Sequence, residues 1–283
     1  MPQKHHEFPK SACGAIDVLY SPAMGGSEPC RESVEHVVQR MQDSGVEHVF
    51  ITGCQEWACD RRIYCDDTFL DDVLRYTVSH PSQFIGLGTY NPLQIGPSVH
   101  EAETGVRQYG FRGIYVHPAG VGLALNDRRM YPLFVKALDW HVPVVIDMRQ
   151  YPGEVLAISV EDMEQVASDF PEVPFVVSQC DWSREQLEHL IDVCPNVFFC
   201  FDSEKLTRDE IRQFAASLGR LHVMWGSNGQ SWKQSLAEVT RLGLPDLPSI
   251  LYANAMRIFR LDQRKRHQTH SPRLPRVTRI AAE

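Results

Sequence analysis

Residues 113–147 decide the fold, and they read GIYVHPAGVGLALNDRRMYPLFVKALDWHVPVVID. Short apolar runs at both ends of this stretch have the length and composition of strands, at 113–117 and 142–147. Between them, residues 129–141 carry apolar side chains at helical spacing. A strand, a helix and a second strand in this order predict two parallel strands joined by a crossover helix.

The same alternation continues on both sides of this unit. Further strands are predicted at 15–20, 48–52, 84–89, 175–179, 197–201 and 221–226. Further helices are predicted at 31–44, 67–79, 99–109, 160–169, 184–193, 208–218 and 232–242. Eight such pairs predict an α/β protein with a single closed (β/α)8 barrel, a fold that takes roughly 250 residues.

The chain of 283 residues therefore holds one barrel domain, which we place at residues 13–261. Residues 1–12 form a polar N-terminal extension without a hydrophobic pattern. Residues 262–283 are rich in arginine and poor in apolar side chains, which predicts a basic, disordered tail.

Composition narrows the class of function. Hydrophobic residues make up 43% and charged residues 23% of the chain, which is typical of a soluble globular protein. The net charge is −8, and a negative charge argues against nucleic acid as a partner. There is neither an apolar run of the ~20 residues that a membrane span needs nor a signal-peptide pattern. Eight scattered cysteines fit a reducing compartment. We therefore expect a cytoplasmic protein that does not contact membranes.

Polar residues concentrate where the predicted strands end. Active sites of (β/α)8 barrels lie at the C-terminal ends of the strands, and carboxylates or histidines there can exchange protons. We predict Asp147 as a catalytic acid or base and His117, or alternatively Tyr115, as a second proton donor. The predicted substrate-binding residues are Tyr20, Ser21, Tyr115, Arg149, Gln179, Asp181 and Asn228.

Three of these residues, His117, Asp147 and Asp181, also have a structural alternative. His117 precedes a proline and can be a packed structural histidine. Asp147 can form a buried salt bridge to Arg149 or Arg112, and Asp181 can support a loop. Arg149 can bind a substrate carboxylate through two parallel hydrogen bonds.

Several segments resemble one known family. Residues 110–118 (GFRGIYVHP), the pairs Asn126-Asp127 and Tyr131-Pro132, residues 142–146 (VPVVI) and residues 251–259 (LYANAMRIF) resemble the amidohydrolase-related family that includes aminocarboxymuconate-semialdehyde decarboxylase. The likeness spans residues 15–261. It implies a metal-dependent-hydrolase type of barrel whose metal is held by His-x-His after the first strand, histidines after the fifth and sixth strands, and an aspartate after the eighth.

This chain departs from the implied metal site at all five positions, which fall on Leu19, Ser21, Asp147, Gln179 and Asn228. A catalytic zinc needs about three ligands from His, Asp, Glu or Cys. Leucine has no donor atom, and neutral amides bind zinc poorly. We therefore expect no metal ligand and no cofactor, although one carboxylate with amide and hydroxyl oxygens leaves magnesium or calcium open.

Three functions remain open at this stage. The first is a metal-independent hydrolase or lyase that acts on a small carboxylate or lactone by acid–base chemistry. The second is a catalytically silent pseudoenzyme that binds a ligand or serves as a partner subunit. The third is a metal-dependent hydrolase or decarboxylase with atypical ligands. The expected partner is a small molecule, and the resemblance allows a homodimer or pairing with an active homologue.

Overall fold

The protein is described here by a computed structural model that covers residues 14–20, 33–53, 69–149 and 158–262. Eight parallel strands form a nearly closed barrel in which each strand pairs with the next along the chain. The strands are β1 Ala15–Tyr20, β2 Val46–Ile51, β3 Phe84–Thr89, β4 Gly113–Val116, β5 Val144–Asp147, β6 Phe175–Ser178, β7 Val197–Phe201 and β8 Val223–Trp225. The predicted barrel is confirmed, and β1, β3 and β7 have the predicted bounds.

Helices alternate with the strands and pack against the outside of the barrel. They are α1 Val34–Ser44, α2 Phe69–Thr77, α3 Ile95–Tyr109, α4 Tyr131–Trp140, α5 Val160–Asp169, α6 Arg184–Val193, α7 Ser203–Thr207, α8 Asp209–Ala216, α9 Trp232–Arg241 and α10 Asn254–Ile258. The helix predicted at 208–218 is found as α8, with Arg208 in extended conformation (ψ 130°) as its N-cap, whereas the short helix α7 before it is not among the predicted helices. Every helix among the described residues is too short or too polar to cross a bilayer.

Local sequence signals set several helix ends. Ser159 and Ser183 each cap a helix, and in both cases the side chain of the third helical residue returns a hydrogen bond to the backbone of the cap. This reciprocal pair satisfies backbone N–H groups that have no partner inside the helix. Gly45 ends α1 in the left-handed conformation (φ 74°), which glycine adopts without steric cost.

A plug of apolar side chains closes the end of the barrel at which the strands begin. Ile258, Phe259 and Leu261 are buried in the same cluster as the inward-facing strand residues, and the rings of Phe259 and Phe50 lie 4.3 Å apart. The side-chain amide of Asn254 donates to the carbonyls of Arg220 and Val223, at 2.8 Å each, at the start of β8. The last described helix is therefore fixed to the floor of the barrel.

One buried carboxylate joins the first strand to the last. Asp17 of β1 is fully buried, and it accepts hydrogen bonds from the backbone N–H of Ser227 (2.8 Å), the hydroxyl of Ser227 (2.5 Å) and the indole N–H of Trp232 (2.6 Å). It also accepts the backbone N–H of Leu19 at 3.0 Å. Burial raises the pKa of Asp17, and these hydrogen bonds oppose that rise. Asp17 thus closes the seam between β1, β8 and α9.

We expect Asp17→Asn to lower the free energy of unfolding by about 2–3 kcal/mol. The amide keeps the shape of the carboxylate but puts a donor where an oxygen accepts, so at least one buried N–H loses its partner. Denaturant unfolding at neutral pH measures the loss. Asp139→Asn on the exposed face of α4 is the control, and its effect should stay within about 0.5 kcal/mol. Equal stability of the two variants would contradict this role of Asp17.

Candidate active site

Five of the predicted site residues come together where the strands end. Tyr115 and His117 lie at the end of β4, Asp147 and Arg149 at the end of β5, and Asn228 just after β8. Parallel strands of a barrel end at one rim, so residues far apart in sequence meet there. All five belong to one buried or partly buried polar cluster, which we call the rim cluster.

Asp147 is the centre of the rim cluster. Its side chain is fully buried, and one oxygen accepts the hydroxyl of Tyr115 at 2.5 Å. Arg149 donates to the same carboxylate from its backbone N–H at 3.0 Å, from Nε at 2.9 and 3.0 Å, and from Nη2 at 2.5 Å. Such charge-assisted pairs with two parallel hydrogen bonds are among the strongest hydrogen bonds in proteins.

Arg149 also connects the end of β5 to the end of β8. Its Nη1 donates to the side-chain oxygen of Asn228 at 2.6 Å. The amide nitrogen of Asn228 in turn donates to Asp202 at 3.2 Å, and the other oxygen of Asp202 accepts the backbone N–H of Lys205 at the start of α7. Three strand ends, those of β5, β7 and β8, are therefore linked by one hydrogen-bonded chain.

The rim cluster keeps Asp147 ionised. Burial by itself would raise the pKa of Asp147, but the charges of Arg149 and His117 and the hydrogen bonds from Arg149 and Tyr115 outweigh burial and lower the pKa to about 2. A carboxylate with such a low pKa accepts protons poorly near neutral pH. The role of Asp147 as acid or base stays a prediction, and the salt bridge to Arg149, its structural alternative, is present.

His117 is fully buried beside this pair. Its Nδ1 lies 4.0 Å from the nearer oxygen of Asp147, which is longer than a hydrogen bond but close enough for a strong electrostatic interaction. Imidazole is the side chain that most often transfers protons in enzyme active sites. The catalytic role of His117 stays a prediction.

Gln179, just after β6, occupies an unusual backbone conformation. Its φ is +61°, which is uncommon for a residue with a long side chain. The side chain is only 6% exposed, and its amide nitrogen is buried without a hydrogen bond to any described residue. A buried donor without a protein acceptor costs free energy, so Gln179 is a candidate to bind a ligand oxygen.

Tyr20 lies on the other side of the barrel wall. Its ring packs 4.9 Å from the ring of Trp232, and its hydroxyl accepts from Arg40 of α1 at 3.2 Å. The pairing of β1 with β2 is irregular between Asp17 and Tyr20, so Leu19 joins the inner apolar cluster and Tyr20 the outer one. This position between barrel and helices does not support the predicted substrate-binding role of Tyr20.

Asp181 is also outside the rim cluster. Its side chain is 72% exposed, and it forms ion pairs with Lys205 and Arg208. It lines a groove of about 410 Å³ between the start of α6 and α8, together with Cys180 and Trp182. The structure therefore favours the structural alternative for Asp181.

The predicted site leaves out two buried carboxylates, Asp17 and Asp202. A signal for Asp17 was present, since a charged residue inside the apolar strand AIDVLY must find donors when it is buried. Asp202 directly follows the apolar strand β7 and precedes a short helix, a position typical of a cap. Its second bond, to Asn228, has no signal in the local sequence.

The described strand ends do not fit a divalent metal ion. Leu19 offers only hydrocarbon, Asp147 and Asn228 already bind Arg149, and Gln179 offers a neutral amide. Ser21 lies outside the described residues. Within residues 14–20, 33–53, 69–149 and 158–262, no three His, Cys, Asp or Glu side chains converge as a metal site requires.

Comparison with known sequences identifies one family. The sequence model of the family described as amidohydrolase matches residues 64–261, which is more than half of the chain. No curated protein matches the chain.

Solved structures share the barrel at low sequence identity. An uncharacterized TIM-barrel protein from Bordetella bronchiseptica is 20% identical with a TM-score of 0.67, over 87% of this chain and 98% of that one. The 5-carboxyvanillate decarboxylase of Novosphingobium aromaticivorans, complexed with manganese, is 14% identical with a TM-score of 0.62, over 84% of each chain. The 4-oxalomesaconate hydratase of Rhodopseudomonas palustris is 17% identical with a TM-score of 0.62, over 88% and 96%. These likenesses show the fold.

The pKa of Asp147 predicts a pH-dependent contribution to stability. The folded value, about 2, is below the ordinary 3.8, so the contribution is present above pH 3.8 and is lost as the pH falls through about 2. We expect the stability difference between wild type and Asp147→Asn to shrink by about 2 kcal/mol between pH 5 and pH 2. Urea unfolding of both proteins across this range measures it. A difference that does not change with pH would contradict the assignment.

Proposed function

Because the chain belongs to the amidohydrolase family and its described strand ends do not suit a divalent ion, we propose that it acts on a small carboxylate or lactone by metal-independent acid–base chemistry. The observation that carries this proposal is the salt bridge between Asp147 and Arg149. In this salt bridge the carboxylate of Asp147, a potential metal ligand, is bound to a guanidinium, while the surrounding groups remain able to bind an organic molecule through hydrogen bonds.

The class of substrate is proposed by likeness to the fold neighbours. A 5-carboxyvanillate decarboxylase and a 4-oxalomesaconate hydratase, named for carboxylated compounds, share this barrel. A fold alone does not fix a reaction. Support from this chain itself comes from Arg149, because a fixed guanidinium favours an anionic ligand such as a carboxylate.

We assign proton transfer to His117 and charge stabilisation to Arg149. His117 is fully buried, with its Nδ1 4.0 Å from the carboxylate of Asp147, and an imidazole can donate or accept a proton in a reaction. Asp147 is then a positioning residue, which orients Arg149 through their hydrogen bonds. Tyr115 holds the carboxylate from the other side.

A silent ligand-binding protein is the second candidate function. It is favoured by the same low pKa of Asp147, because that carboxylate is no longer available as a base. Such a protein would bind the ligand in the rim cluster without converting it.

We also propose a cytoplasmic location, a small molecule as the ligand, and either a homodimer or pairing with an active homologue. The location is supported by Cys180, Cys194 and Cys200, which are free, buried thiols in the described part of the chain. Free thiols are typical of proteins that stay in a reducing compartment.

The first test is turnover of small carboxylates and lactones with and without a chelator. The panel includes 5-carboxyvanillate, 4-oxalomesaconate and a carboxylated lactone, followed by absorbance. We expect turnover to survive EDTA and to fall by about 10²-fold or more in His117→Asn, because a proton-transfer group is removed. His100→Gln on the exposed side of α3 is the control. Loss of turnover with EDTA would refute the metal-independent mechanism, and ligand-induced thermal stabilisation without turnover would favour the silent binding protein.

The second test concerns Gln179. We expect Gln179→Leu to leave the free energy of unfolding unchanged or raise it by about 1–2 kcal/mol, because a buried donor without a protein acceptor is removed. Binding of the best compound from the panel should weaken about tenfold at the same time, since one ligand hydrogen bond is lost. Urea unfolding and calorimetric titration measure the two effects. Unchanged binding would show that Gln179 does not contact the ligand.

A further inference from the structure

The guanidinium of Arg149 is held by oxygens from two separate strand ends. One edge, Nε and Nη2, bonds both oxygens of Asp147 after β5, and Nη1 bonds the side-chain oxygen of Asn228 after β8 at 2.6 Å. Only 15% of the Arg149 side chain is exposed. A cation thus sits where the ends of β5 and β8 converge.

The orientation of Asn228 is set by a third strand end. Its amide nitrogen donates to Asp202 after β7, so its oxygen faces Arg149. The backbone of Asn228 is in the left-handed region (φ 51°), and its N–H donates to the carbonyl of Leu19 at 3.1 Å. Asn228 is therefore fixed by both backbone and side chain as an oxygen ligand of the guanidinium.

The chain contains a second Asp-x-Arg pair. Comparison of the two pairs shows which properties of Asp147 and Arg149 depend on their position at the rim of the barrel. In Asp127 and Arg129, the backbone N–H, Nε and Nη2 of the arginine bond the carboxylate at 2.9, 2.8 and 2.9 Å, which is nearly the same local geometry. That pair is on the surface, with 41% of Arg129 and 25% of Asp127 exposed. The local motif makes the ion pair, whereas the burial of Arg149 and its bond to Asn228 come from the barrel.

We infer that Arg149 is the resident cation of this barrel. Asp147 and Asn228 bind its guanidinium in the place of a divalent ion, and the guanidinium supplies the positive charge that a ligand meets. The statement that a ligand meets this charge rests on the proposed function. The statement that Asp147 and Asn228 bind the guanidinium in the place of a divalent ion does not.

A resident guanidinium differs chemically from a metal ion. It carries one positive charge in a plane of N–H donors, which suits a carboxylate or a developing oxyanion. A metal ion also lowers the pKa of a bound water toward ~7, and a guanidinium has no open coordination position with which to do so. Removal of a proton from water must therefore come from another group, such as His117.

The test is binding of Mn²⁺, measured by electron paramagnetic resonance, to four proteins. They are the wild type, Asn228→Asp, Asn228→Asp with Arg149→Ala, and Asn228→Asp with Arg129→Ala as the matched control. Removing Arg149 frees the carboxylates of Asp147, Asp202 and position 228 to bind the ion. We expect only the variant without Arg149 to gain affinity, by at least roughly tenfold over the wild type.

Three results would overturn the inference. They are stoichiometric Mn²⁺ binding by the wild type, equally tight binding by Asn228→Asp with Arg149 in place, and no gain when Arg149 is removed. If the proposed function is wrong, turnover is absent but the pattern of Mn²⁺ binding is unchanged. Failure of the proposed function can therefore be distinguished from failure of this inference.

A second measurement covers the case in which the double variant does not fold. In Arg149→Ala alone, low millimolar guanidinium ion should raise the Tm relative to the same concentration of sodium ion, because it re-enters the vacated position between Asp147 and Asn228. In wild type and in Arg129→Ala, guanidinium should give no increase. An increase equal in all three proteins, or none in Arg149→Ala, would contradict the inference.

Discussion

The hydrogen bonds of Asp17 are the constraint on which the candidate site depends. The rim of a barrel is continuous only when the last strand lies beside the first. Asp17 of β1 joins these two strands through its hydrogen bonds with Ser227, which follows β8. Asn228 follows directly and donates to the carbonyl of Leu19. The position of the last rim residue is thus set by a carboxylate that faces away from the rim cluster.

Asp17 and Asp147, two of the buried carboxylates of the barrel, are stabilised in different ways. Asp17 is surrounded by neutral donors, so burial remains the dominant influence and raises its pKa. Asp147 faces the full charge of Arg149, which reverses that effect. Buried charges are tolerated when they are paired or fully hydrogen-bonded. The first arrangement serves closure of the barrel, and the second gives the rim a fixed pair of charges.

The sequence predicts the fold well and the candidate site only in part, for physical reasons. Strand and helix periods are local, so the barrel follows from them. Alternation from Ile16 and Val18 puts Tyr20 inside, but a register irregularity in β1 turns it outward. The contact of Arg149 with Asn228 joins residues 79 apart and depends on the closed barrel, so no local pattern carries it.

The plug formed by Phe259 and its neighbours has a consequence for biosynthesis. The ribosome makes β1 before the other strands, and it makes the residues that fill the floor of the barrel after all eight strands. Until then the nascent chain carries an unpaired strand edge and an unfilled interior, both of which favour aggregation. The growing polypeptide is therefore most exposed to aggregation before the residues that fill the floor of the barrel have been made.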